Sequence, residues 1–308
     1  MIGEFISIGV AFSWTITALC IEYASKRIGS ISVNFLRLSL AFVFTGILLL
    51  VTTGNFLPTG ASHEAWLWMS VSGLIGYVFG DCCLFYSYVV IGSRFGQLFM
   101  TLAPIAAAIS GNLLLGESMS IKASLGMAVT ISGIALSIFS RGTSGHLPTV
   151  KIPLKGVLLG VGAGIGQGVG LVFSKYGMSF YLKSAEHCSE QVKSMIPFAA
   201  GEIRMITGAL SFLIILSLTR QLGNIGPAVR DKKAALSVLM GTIFGPFLGV
   251  SFSLMAVQYT ASGIASTLMA ITPVLIIPFA IIIQKQKVTF WEIAGAFISV
   301  AGVALFFI

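Results

Sequence analysis

Apolar stretches of roughly 20 residues, the length that carries a helix across about 30 Å of hydrocarbon, follow one another along the whole chain. The first runs from about Phe5 to Ala24 and the second from about Ile31 to Thr52. A polar loop containing Gly and Pro, Thr53–Glu64, leads to about Ala65–Val90, Arg94–Leu115 and Ile121–Ser140, joined by the short turns Ile91-Gly92-Ser93 and Gly116-Glu117-Ser118. Arg141–Pro153, with its Gly, Ser, Thr and Pro, reads as a linker. Beyond it the plan recurs as about Leu154–Tyr176, Ile196–Leu218, Ala234–Tyr259, Ser262–Ile283 and Val288–Ile308. The short alternating segments of a membrane barrel are absent, so the pattern predicts an all-α membrane protein with ten transmembrane helices.

The stretch Ser70–Phe139 occurs twice. Displaced by 169 residues it falls on Leu239–Ile308 without a gap, pairing Gly76 with Gly245, Gly80 with Gly249, Ser93 with Ser262 and Met100 with Met269. The register continues through Pro104 and Pro273, Gly126 and Gly295, and Gly133 and Gly302. These residues are mostly Gly and Pro, which fix backbone geometry, so descent of two halves from one unit explains them better than shared hydrophobicity does. The halves are residues 1–140 and 154–308, with 141–153 between them. Five helices per half is an odd number, which requires the halves to insert in opposite orientations, as two five-helix inverted repeats.

Composition agrees: 56% of residues are hydrophobic and 9% charged, with a mean hydropathy of +0.99, whereas about a quarter of a soluble domain is charged. The expected setting is the lipid bilayer, as an integral multi-pass protein of the plasma membrane, or of the inner membrane in a Gram-negative cell. The net charge of +8 does not indicate nucleic acid, because the basic residues stand singly or in twos and threes between apolar runs. It indicates orientation instead. The face carrying Lys26, Arg27, Arg94 and Arg141 collects twelve basic residues, and the other collects four, Lys122, Lys175, Lys183 and Lys193. The positive-inside rule then puts the first face in the cytoplasm and both termini outside. Met-Ile-Gly-Glu lacks a basic leader region, so the first apolar run reads as a retained helix.

Cys20, Cys82, Cys83 and Cys188 show no metal-ligand spacing and read as small buried hydrophobes, while His63, His146 and His187 fall in loops. No metal and no cofactor are expected. Glycine occupies every second position from Gly160 to Gly170, a spacing that does not fit a nucleotide-binding G-x-G-x-x-G. On a helix the run forms two small-residue faces, one through Gly160, Gly164 and Gly168 and one through Gly162, Gly166 and Gly170, with Gln167 interleaved. Gly76/Gly80 and Gly245/Gly249 do the same in the third and eighth helices. Such faces serve close packing or a moving contact between the halves.

Ionisable residues inside apolar runs carry more chemistry, because a charge in hydrocarbon costs at least about 2.5–3.5 kcal/mol and faces a partner or a cavity. Arg37 and Arg204 each lie about two turns into a helix, and Asp81 lies well inside the third. Asp81 has Val250 as its repeat partner, an asymmetry that points to function, and it forms a polar stripe with Tyr77 and Tyr88. Arg37 and Asp81 are expected at similar depth on one cavity, paired directly or through water, as a charged anchor for substrate or a proton-coupling site. Glu22 with Arg37, and Lys175 with Glu202, are candidate local ion pairs. Pro104 and Pro273 interrupt the fourth and ninth helices near their middles, and Gln97, Thr101 and Asn112 share a face with Pro104, as a cavity wall or as polar helix packing.

Taken in order, these residues resemble the drug/metabolite transporter superfamily, in its ten-helix form with two EamA-like domains. The resemblance rests on Trp14 followed by Glu22, Phe35-Leu36-Arg37, Gly80-Asp81, Phe85-Tyr86 before Ile91-Gly92-Ser93, Pro104, Leu115-Gly116-Glu117, Gly126 and Gly133. Two positions depart from it, Glu22 where Lys is frequent and Lys285-Gln286 where a second Gly-Glu is frequent. The resemblance implies a monomer-sized bundle with a central cavity between helices one to four and six to nine, and both termini in the cytoplasm, against the charge count.

The function expected is a secondary permease or exporter of a small polar or amphipathic metabolite such as an amino acid, working by alternating access and not as an enzyme. A flippase for a lipid-linked intermediate is the alternative. An intramembrane protease is a remote one, since Val78-Phe79-Gly80-Asp81 lacks the first glycine of G-x-G-D and no second intramembrane Asp exists.

Overall fold

The structure is a computed structural model that describes residues 2–115, 121–139, 152–259, 268–283, 285 and 288–307. The turn at Gly116–Ser118, linker residues 141–151, Ser262, Gln286 and Lys287 lie outside the described residues. Within them the chain is helical, without strands.

Helix α1 is Ile2–Ile28 and α2 is Ser30–Thr53. Helix α3 consists of His63–Gly73, a π-helical stretch Leu74–Asp81, and Cys82–Ile91. Helix α4 joins Ser93–Phe99 to Ala103–Leu115 through a 3₁₀ turn at Met100–Leu102. Helices α5, α6 and α7 are Ile121–Phe139, Leu154–Ser184 and Glu190–Leu218. Helix α8 is Lys232–Thr242, a second π-helical stretch Ile243–Phe247, and Leu248–Tyr259. Helices α9 and α10 are Thr272–Ile282 and Phe290–Phe307.

Seven of these are long and apolar enough to cross a membrane, and Leu125–Ile138, Thr272–Ile282 and Phe290–Leu305 are shorter apolar helices. The chain is an integral, multi-pass membrane protein. Two helices extend beyond the expected spans, α6 to Ser184 and α7 back to Glu190. Polarity marks where lipid ends, whereas a helix ends where its backbone is capped; Ser189 accepts from the Val192 amide and starts α7 six residues before the apolar run. His63 opens α3 rather than lying in a loop. The four cysteines are half-buried, not fully buried. Pro273 stands in the first turn of Thr272–Ile282, directly after a tight turn at 270–271 that interrupts the ninth apolar run.

The alternating glycines position α6. A Cβ at Gly164 would stand 2.7 Å from the Phe99 carbonyl, and one at Gly168 2.7 Å from the Ala106 Cβ, both on α4. On the other face a Cβ at Gly166 would stand 2.8 Å from the Gly80 Cα and one at Gly170 2.9 Å from the Gly76 Cα, both on α3. The two glycine faces therefore let α6 wedge between α3 and α4 with backbones nearly touching. Elsewhere α1 lies against α8 and α9, α2 against α7, and α5 against α10.

The α5–α10 contact is reciprocal. The Thr130 hydroxyl donates to the Ser299 carbonyl at 3.3 Å, and the Ser299 hydroxyl to the Thr130 carbonyl at 3.4 Å. These two residues are equivalent under the 169-residue displacement. Likewise a Cβ at Gly133 would stand 2.7 Å from the Gly295 carbonyl, and one at Gly302 2.8 Å from that of Gly126. Contacts run in opposite order along the two helices, which are therefore antiparallel, and equivalent residues meet each other as in an isologous contact. Replacing Gly133 or Gly302 with Val is expected to cost about 1–3 kcal/mol through overpacking, read as a lower thermal unfolding midpoint in detergent. An unchanged midpoint in both variants would contradict the close approach.

Candidate functional site

Asp81 closes the π-helical stretch of α3, and Arg37 lies two turns into α2. The wider turn re-aims side chains on a helix already held by Gly76 and Gly80 against α6, and it breaks the simple stripe expected for Tyr77, Asp81 and Tyr88. The second π stretch begins at Ile243, the repeat equivalent of Leu74, and contains Pro246, which lacks the amide for an ordinary helical bond.

Arg37 and Asp81 are 5% and 4% exposed and form a direct ion pair through Nη2 and Oδ2. Gln167 on α6 donates from Nε2 to the other carboxylate oxygen, Oδ1, at 2.6 Å and to the Gly76 carbonyl at 3.1 Å. The Arg37 guanidinium lies 4.7 Å from the Phe85 ring centre and 5.8 Å from that of Tyr77. Arg204, on α7, lies 4.6 Å from the same Tyr77 ring. Four helices, two from each side of residues 141–153, thus converge on one buried group with two guanidinium charges and one carboxylate. Such pairs are stabilised only while both partners stay in place, since either charge alone in this environment is costly.

Other expected residues stand elsewhere. Tyr88 accepts from Gln97 at 2.6 Å, a separate buried pair between α3 and α4. Thr101 donates to the Leu98 carbonyl at 2.7 Å within the 3₁₀ turn, and Asn112 is exposed. Pro104 stands directly after that turn, in the first turn of the following helical segment.

Glu22 does not pair with Arg37. Its carboxylate accepts from the Ser93 amide at 2.9 Å and from the Ser93 hydroxyl, and it pairs with Lys26. It therefore caps the N-terminus of α4, where an acidic group meets the positive end of the helix dipole; Gly92, at φ 85°, makes the turn that presents that end. Glu202 does not pair with Lys175 either: Lys175 faces outward, whereas Glu202 is fully buried with neither carboxylate oxygen hydrogen-bonded among the described residues. One buried pair escaped the sequence reading. Arg94 on α4 reaches Glu292 on α10 at 3.2 Å, the two being 5% and 2% exposed. Two opposite charges opening helices on the same basic face were the available signal.

At the same end, outside the apolar spans, Asp231 accepts from Arg27 and caps α8 through the Ala234 amide at 3.2 Å. The hydrogen bond and charge of Arg27 hold its carboxyl below the usual range.

A family model described as "EamA-like transporter family" matches residues 1–139 and 154–308. No curated protein matches. A solved structure described as "Crystal structure of protein" is 17% identical with a TM-score of 0.61, covering 98% of this chain and 95% of that one, and supports the fold alone.

Removing Arg37 as Gln strands the Asp81 charge and is expected to cost about 3–5 kcal/mol, whereas Arg37→Met with Asp81→Leu recovers most of it. Thermal unfolding of the two variants checks this; equal midpoints would show that the pair is not coupled in the folded protein.

Proposed function

The chain belongs to the EamA-like transporter family, and from that premise we propose a secondary transporter that carries a small polar or amphipathic metabolite, such as an amino acid, by alternating access. The observation that carries this reading is the buried cluster itself. Arg37 and Asp81 come from the first half, Gln167 and Arg204 from the second, so a molecule held there is gripped by both. The sequence holds no nucleotide-binding motif, and an ion or substrate gradient supplies the driving force.

In the proposed arrangement ten helices form two five-helix inverted repeats related by a two-fold axis in the membrane plane. Support comes from paired contacts. A Cβ at Gly80 would meet Gln167, and one at Gly249 would meet Trp14; Gly76 faces Gly170, and Gly245 faces Thr17. Both comparisons preserve a single displacement, 169 residues on α3 and α8 and 153 on α1 and α6. The reciprocal α5–α10 contact obeys the same relation. The glycine faces then act as the surfaces along which α6 shifts against α3 and α4, and α1 against α8.

Two outcomes are expected in proteoliposomes preloaded with an amino-acid mixture. Asp81→Asn keeps size and hydrogen bonding but loses the charge, so it lowers counterflow of labelled amino acids by about tenfold or more, one decade per 1.4 kcal/mol of lost interaction. Gly80→Leu and Gly249→Leu lose transport to a greater extent than folded yield. Wild-type counterflow in Asp81→Asn would remove the cluster from the transport mechanism, and normal transport in both glycine variants would exclude those faces as moving contacts.

A further inference from the structure

The cluster contains donors without an acceptor among the described residues. Arg204 is 8% exposed, its Nε has no hydrogen-bond partner, and it forms no ion pair among the described residues. The hydroxyl of Tyr77, a residue 4% exposed, is also without a partner, as is Nε of Arg37. Both guanidinium groups stand over the Tyr77 ring, so these donors belong to one locus.

Charge accounting leads to the same point. Asp81 is the carboxylate of the cluster, and its two oxygens are engaged by Arg37 and Gln167. Among the described residues two guanidinium groups thus share one carboxylate, and Arg204 has no ion-pair partner of its own at mid-length of α7, where burial in the membrane makes an unbalanced cation costly. Glu202 does not supply it: two residues apart on a helix means about 200° of rotation, and its oxygens are unpartnered. Gly76 leaves room for the guanidinium, since a Cβ there would stand 2.8 Å from Arg204 Nη2.

We propose that Arg204, with the Tyr77 hydroxyl and Arg37 Nε, is the docking point for an oxyanion, carboxylate or phosphate, carried by the transported molecule. A guanidinium offers a planar fork that matches either group, and that of Arg204 lies 4.6 Å from the Tyr77 ring centre, within cation–π range. Arrival of the anion balances the buried charge and satisfies the orphan donors. Its departure restores the imbalance, which gives the loaded and empty cluster different preferences for burial. This rests on the reading of the cluster as the transport site.

The test is thermal unfolding of the purified full chain at constant ionic strength, titrated with two arms of probes. One arm is L-alanine, L-leucine and L-phenylalanine beside their amides; the other is inorganic phosphate and glycerol 3-phosphate beside glycerol. A saturable rise in midpoint is expected with oxyanions of at least one arm and not with the uncharged or amide counterparts. Arg204→Gln is expected to weaken that apparent affinity about tenfold or more. Gly76→Ala, which displaces the fork but keeps the charge, is expected to weaken it as well and serves if Arg204→Gln does not fold. Response to carboxylates alone assigns an amino acid or organic acid, and response to phosphates alone a phosphorylated or lipid-linked molecule. No saturable response to any oxyanion, or a response unchanged in the variants, overturns the docking point. Transport of a probe that lacks an oxyanion would overturn it too while leaving the transporter reading standing; wild-type proteoliposomes that move none of the probes they bind would sink that reading instead.

Discussion

A guanidinium and a carboxylate removed from water hold one another between α2 and α3, and much of the architecture follows from keeping that contact satisfied. Hydrocarbon offers no partner to a polar group, so an ion pair buried there draws its partners from the protein. Arg37 and Asp81 provide the charges, Gln167 occupies the remaining carboxylate oxygen, and aromatic faces at Phe85 and Tyr77 cover the guanidinium groups. The Gln167 bond requires α6 to come within reach of Asp81. Only glycine permits that approach, because any Cβ at Gly166 or Gly170 would meet the α3 backbone.

The same economy appears at the helix ends. Glu22 caps α4, Asp231 caps α8 and holds Arg27, and Arg94 pairs with Glu292. All three link helices distant in sequence, and all lie at the end that carries most of the basic residues. Interactions at that end tie α1 to α4, α1 to α8 and α4 to α10.

Much of the fold was legible because the bilayer restricts what a sequence does in it. Apolar length located the helices, and the 169-residue doubling pairs Thr130 with Ser299, which meet between α5 and α10. The Gly160–Gly170 run announced two packing faces, and α3 and α4 occupy them. What escaped depends on three-dimensional choice among partners. The pairing of Arg37 with Asp81 followed from depth alone, but Glu22 lay equally near Arg37 in sequence terms and instead took the exposed amides of a helix start. The Glu202 expectation failed because Lys175 and Glu202 face different environments, which periodicity around two separate helices does not encode. The π-helical stretches left no simple periodic trace, although Pro246 and the Gly76/Gly80 pair mark where they form.

The central claim is that the Arg37–Asp81 contact serves transport and is more than a structural staple. The most direct measurement is counterflow per folded transporter in the charge-swapped protein, Arg37→Asp with Asp81→Arg. The swap restores an ion pair across the same two helices but turns its field around relative to Gln167 and Arg204. A thermal midpoint above that of Arg37→Gln is expected, together with loss of transport. Wild-type transport by the swapped protein would contradict it, leaving the pair with a structural role only.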